Sequence, residues 1–138
     1  MVDGTYANND RTTSVVVNPR ANTSVATPTA TIPVGVVSYT VDACGSQGAT
    51  HSDTRTVSIG GAGGRTVAQV TNNPAATRTV YLLAGRQSGD PGGGPAGLSA
   101  AVGGGFSGVF ADALTTRPLV IAGGGGGGGS TGGGDTAI

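Results

Sequence analysis

Apolar and polar residues alternate along several short segments of the chain, and a period of two is typical of β-strands with one buried face. The clearest segment is Val34–Ala43. One side of it carries four apolar residues, namely Val37, Tyr39, Val41 and Ala43. The same reasoning predicts further strands at Val15–Val17, Thr54–Ile59, Arg65–Thr71, Arg78–Ala84, Leu98–Val102 and Leu119–Ala122.

Only one segment favours a helix. Phe106–Leu114 has the length of a short helix, and Ser107 stands where an N-cap would lie. The composition otherwise favours strands, because Thr (19) and Val (16) far outnumber Leu (5) and the chain has no Lys or Glu. We therefore predict an all-β fold.

Glycine accounts for 28 of the 138 residues, well above ordinary usage. Its longest run follows the last predicted strand. A glycine run either forms a flexible linker or packs backbone against backbone in a polyproline-II-like conformation. Because glycine clusters recur along the chain, we expect this run to be ordered and to pack on Gly60–Gly64 and Gly92–Gly94. It consists of Gly123, Gly124, Gly125, Gly126, Gly127, Gly128 and Gly129.

The charged residues argue against several classes of function. Seven Arg and seven Asp give a net charge of zero, which disfavours nucleic-acid binding. No segment is apolar for long enough to predict membrane insertion. Cys44 is the only cysteine, so no disulfide forms within the chain. His51, beside Ser52 and Asp53, is more simply an exposed loop residue than part of a catalytic triad. We expect no catalytic, cofactor-binding or metal-binding residues, and hence no enzyme.

Four segments together resemble a known family. Ile32–Ala49, Gly60–Val67, Val80–Gly85 and Leu119–Gly129 resemble, in the same order, motifs of the glycine-rich domains of bacterial and protist surface proteins. The glycine-rich module of the anaplastic lymphoma kinase receptor is distantly similar. The resemblance implies a jelly-roll-like antiparallel β-sandwich with polyglycine-II-like segments. It implies no enzymatic activity.

The chain departs from that family at both ends. The family continues past the glycine tract into a closing strand, whereas this sequence ends at Ile138, and residues 1–31 are an additional extended arm before the domain 32–138. An open sheet edge recruits strands from other chains. We therefore expect Thr12–Ala26 of one subunit to add a strand to the next subunit. The assembly residues would be Val15, Val16, Val17 and Val25.

These features predict a structural subunit of an extracellular fibre or surface filament whose partner is a second copy of itself. A virion tail-fibre or decoration protein is the closest alternative, since the N-terminus does not resemble a signal peptide. A glycine-rich adhesin or binding module is a further alternative. If the chain is exported, its arm is a candidate for covalent glycans. The expected positions are Asn22, Thr27, Thr29 and Thr31.

Overall fold

The computed structural model describes residues 11–17, 29–54 and 56–130, which form nine β-strands and no helix. The all-β class predicted from the sequence is confirmed. The strands are β1 (Arg11–Val17), β2 (Thr29–Ile32), β3 (Val36–Cys44), β4 (His51–Ser52), β5 (Val57–Ser58), β6 (Arg65–Thr71), β7 (Arg78–Leu83), β8 (Ser107–Phe110) and β9 (Pro118–Ala122).

The long strands form two sheets that pack on each other. The first sheet has the order β1-β3-β6 and the second has the order β2-β7-β8-β9, while β4 and β5 form a small hairpin. All pairs are antiparallel except β1 with β3, which is parallel. This arrangement is consistent with a β-sandwich.

The core between the sheets is built from small and β-branched residues. Ile32, Val36, Val41, Ala43 and Val109 are fully buried. Tyr39 is buried on the same face of β3, as its alternation predicts. Val37 was expected there too, but Val36 takes its place. In the β1–β3 pairing Arg11 lies beside Val36 and Thr12 beside Ser38, so Val37 has no partner on β1. A β-bulge of this kind changes which residues of the strand face the core.

The helix predicted for Phe106–Leu114 is wrong. Its first half is β8, which lies between β7 and β9 and has all four residues buried. The Ser107 hydroxyl does not cap a helix but accepts a hydrogen bond from the backbone N–H of Gly85, at 2.9 Å. Pairing on both sides and burial of both faces therefore outweigh the weak local preference for a helix.

Two predicted strands are shorter than expected or missing. Within Thr54–Ile59, only Val57–Ser58 is a strand, because the chain turns back before it. The Asp53 carboxylate accepts a hydrogen bond from the backbone N–H of Thr56 at 2.8 Å and holds this turn. Leu98–Val102 is not a strand, and Leu98 is fully exposed.

Substitution of two isoleucines tests this division between core and surface. Ile32→Ala empties a fully buried site and should lower the free energy of unfolding by roughly 2–5 kcal/mol. Ile121→Ala is the matched control, since Ile121 is 42% exposed, and should cost about 1 kcal/mol or less. Chemical denaturation measures both values. Equal losses for the two variants would contradict the placement of β2 in the core.

Candidate functional sites: the glycine layer and the first strand

Four glycine-containing segments meet at one end of the sandwich, and we call them together the glycine layer. Segment 45–49 follows β3, segment 60–64 precedes β6, segment 101–105 precedes β8, and segment 123–129 follows β9. Since the strands alternate in direction, these connections all emerge at the same end. The layer therefore receives two segments from each sheet.

Backbone hydrogen bonds join the four segments, and they recur at every third residue. Segment 45–49 donates to segment 60–64 and to segment 101–105, and segments 60–64 and 101–105 both donate to segment 123–129. The N–H to O pairs are Gly45 to Gly64, Gly48 to Gly61, Ser46 to Gly105, Ala49 to Val102, Gly64 to Gly123, Gly61 to Gly126, Gly104 to Gly125 and Ala101 to Gly128, all at 2.7–3.0 Å.

The run Gly123–Gly129 contacts all three other segments of the layer. Besides accepting the bonds above, it donates from Gly125 to the Ser46 carbonyl and from Gly128 to the Ala49 carbonyl. Of its two expected partners, segment 60–64 is hydrogen-bonded to it directly. Gly94 is bonded to segment 101–105 instead, since its carbonyl accepts from Gly103 at 3.0 Å.

Close approach of the backbones explains why these positions are glycine. A Cβ at Gly45 would overlap the carbonyl of Gly123, and a Cβ at Gly125 would overlap the carbonyl of Gly61. The overlapping atoms are backbone, so no side chain can move aside. A Cβ at Gly123, by contrast, would meet none of the described residues within 4 Å. The layer therefore excludes side chains at particular positions of the run and tolerates them at others.

The first strand lies at the edge of the first sheet. It runs parallel to β3, with Val15 beside Val41, Val16 beside Asp42 and Val17 beside Ala43. Val15 is 2% exposed and belongs to the core. Among the other predicted site residues, Val25, Asn22 and Thr27 lie outside the described residues. Thr29 and Thr31 are exposed on β2, opposite Tyr81 and Thr79.

An ion pair joins β3 to β6 where they enter the glycine layer. The Arg65 guanidinium donates to both carboxylate oxygens of Asp42, at 2.9 and 2.7 Å. These hydrogen bonds and the positive charge lower the pKa of Asp42 and raise the pKa of Arg65. Because the pKa of Asp42 is lowered on folding, the pair contributes stability that is lost as the pH falls through that pKa. It was not identified from the sequence.

The residues considered for catalysis do not form a triad. His51 Nε2 lies 3.7 Å from Asp53 Oδ2, while the adjacent Ser52 is exposed. Within the described ranges no three His, Cys, Asp or Glu side chains are grouped so as to hold a metal ion. The described part of the chain also has no helix long and apolar enough to cross a membrane.

Comparison of this chain with protein-family models, curated proteins and solved structures gives no match. The resemblance to glycine-rich surface domains therefore rests on the sequence motifs alone.

Two alanine substitutions within the same glycine run test the close packing of the layer. Gly125→Ala places a methyl group on the Gly61 carbonyl and should lower the free energy of unfolding by roughly 2–3 kcal/mol. Gly123→Ala enters open space and should change it by about 1 kcal/mol or less. Thermal and chemical unfolding of the full chain measure the difference. Similar effects of the two substitutions would mean that the run is a linker.

Proposed function

We propose that the chain is a non-enzymatic structural subunit of an extracellular fibre or surface filament. Its β1 strand would occupy the edge of β3 in the neighbouring subunit, so that subunits join head to tail. The observation that supports this is the parallel β1 strand at the edge of an otherwise antiparallel sandwich. The partner is then a second copy of the chain.

The contact made by β1 suits exchange between subunits. In the single chain β1 lies on its own β3, and the same ladder forms when the strand comes from a neighbour. Main-chain bonds supply affinity in such strand addition, while alternate side chains fill pockets, here Val15. The eleven residues 18–28 join β1 to β2, and a connection of this length permits either arrangement.

Strand donation of this kind produces a polymer. The donor is β1 and the acceptor is the edge of β3, so the two contacting surfaces differ. A contact between unlike surfaces continues into an open filament unless the rotation between subunits closes a ring. A fibre is therefore the assembly that fits this mechanism best.

The proposal also includes the type of β-sandwich and the conformation of the glycine segments. We infer a jelly-roll-like sandwich whose glycine layer is a bundle of polyglycine-II-like segments. The hydrogen bonds at every third residue support this inference, because a polyproline-II-type helix has three residues per turn. A layer closed by its own backbone bonds provides a rigid end for a subunit that bears load.

Covalent glycans remain part of the proposal. Thr29 and Thr31 are exposed on β2, which makes their hydroxyls accessible in an exported chain. Their exposure is compatible with modification while β2 stays paired with β7.

Disulfide trapping distinguishes exchanged from unexchanged strands. In a Cys44→Ser background, Ser14→Cys and Thr40→Cys place thiols on register partners of β1 and β3. Adjacent strands lie about 4.8 Å apart, which a disulfide spans. After refolding and oxidation, we expect a ladder of covalent oligomers on a non-reducing gel, and a covalent dimer when the two single-cysteine chains are mixed.

The control combines Ser14→Cys with Thr31→Cys, since Thr31 belongs to the other sheet and should form no specific ladder. Negative-stain microscopy of the unmodified chain should show filaments. If the first pair gives only internally bridged monomers, or if chains lacking residues 1–26 still form filaments, strand donation is wrong.

A further inference from the structure

A cleft opens between the two sheets at the end opposite the glycine layer. Its volume is about 480 Å³, within the range of small-ligand pockets. It is lined by the start of β7, the end of β6, Tyr39 on β3, Leu119 on β9 and Ala111 after β8. The cleft therefore lies where the sandwich is not closed by backbone bonds between the sheets.

Two hydrogen-bond donors line this cleft without a partner among the described residues; Tyr39 is a buried residue and Arg78 an exposed one. Tyr39 lines the cleft and is 3% exposed, and its hydroxyl makes no hydrogen bond with the described residues. Arg78 also lines the cleft, and its guanidinium forms no ion pair within the described part of the chain. A ligand that enters the cleft and accepts a hydrogen bond from the Tyr39 hydroxyl would give it a partner.

The two groups are electrostatically coupled. Burial raises the pKa of Tyr39, and the positive charge of Arg78 partly offsets that rise. The phenol is therefore protonated at neutral pH and acts as a donor. Both residues line the same cleft.

The remainder of the lining is polar at the rim and apolar in its walls. Val70, Val80 and Leu119 supply aliphatic surface, and Asn73 adds an amide. The Asn73 side-chain oxygen accepts from the backbone N–H of Ala75 at 3.0 Å, which leaves its NH₂ group available as a donor. Among the described residues, no carboxylate side chain lines the cleft. The charged part of a fitting ligand is accordingly an anion and its body is apolar.

We propose that this cleft binds a small carboxylic acid with a branched aliphatic body. The carboxylate pairs with the Arg78 guanidinium and accepts a hydrogen bond from the Tyr39 hydroxyl, while the aliphatic body contacts Val70, Val80 and Leu119. Tyr39 is the register partner of Thr13 on β1, so this site adjoins the β1 edge, but its ligand is a small molecule and not a second subunit. It also provides a ligand for the binding-module alternative.

Titration of the full chain with 3-methylbutanoate tests the site, with binding followed by calorimetry and by chemical shifts of the Leu119 and Val70 methyl groups. Two probes divide the ligand into its parts: 3-methylbutanol lacks the charge and acetate lacks the apolar body. We expect saturable binding of 3-methylbutanoate and at least tenfold weaker binding of either probe.

Three variants assign the contacts. Arg78→Gln should weaken binding by at least tenfold and Tyr39→Phe by about tenfold, because each removes a hydrogen bond to a charged acceptor. Arg117→Gln is the matched control, since Arg117 does not line the cleft, and should change affinity by less than about twofold. Tyr39→Phe should leave the unfolding midpoint unchanged or higher, as the hydroxyl has no partner to lose.

Circular dichroism establishes that each variant is folded before it is titrated. The proposal is overturned if 3-methylbutanoate shows no saturable binding, if the alcohol binds as well as the acid, or if Arg78→Gln and Arg117→Gln have equal effects.

Discussion

The glycine layer depends on backbones that approach more closely than any Cβ allows. The peptide groups of its four segments bond to one another across gaps that a methyl group would fill. Two of these segments belong to the first sheet and two to the second, so the layer joins the sheets by hydrogen bonds. In most sandwiches side-chain packing alone connects the sheets. Here the ends of β3, β6, β8 and β9 are fixed by backbone contacts, which compensates for a core of mainly valine and alanine.

The two ends of the sandwich consequently differ in chemistry. At the layer, backbone groups of the four segments pair with one another at every third residue. At the other end the sheets are held apart by side chains, and Tyr39 and Arg78 line an open cleft. Recognition of a small molecule is therefore expected where side chains, rather than backbone, determine the surface.

The sequence predicted the all-β class. It also predicted the strands in which apolar and polar residues alternate over many positions, such as β3 and β6. It failed at Phe106–Leu114, because β8 is buried on both faces and pairs on both sides, and neither feature leaves a periodic pattern. Of the two glycine clusters expected against Gly123–Gly129, segment 60–64 is hydrogen-bonded to it and segment 92–94 is not, since side-chain-free segments carry no pattern that identifies their partners. The cleft was missed because Tyr39 and Arg78 are distant in sequence and meet only after β3 and β7 enter opposite sheets.

Assembly requires backbone groups that the fold does not already use. The glycine layer uses part of its own internally. The β6 and β9 edges are connected across the sheets, since the Thr66 hydroxyl donates to the Ile121 carbonyl at 2.9 Å. The other side of the sandwich ends in β1 and β2. Both strands carry a buried core residue, Ile32 on β2 and Val15 on β1. They differ in their connections, because β2 continues directly into the turn before β3, whereas β1 is joined to β2 through residues 18–28. The longer connection is the reason that the proposed strand exchange is placed on β1 and not on β2.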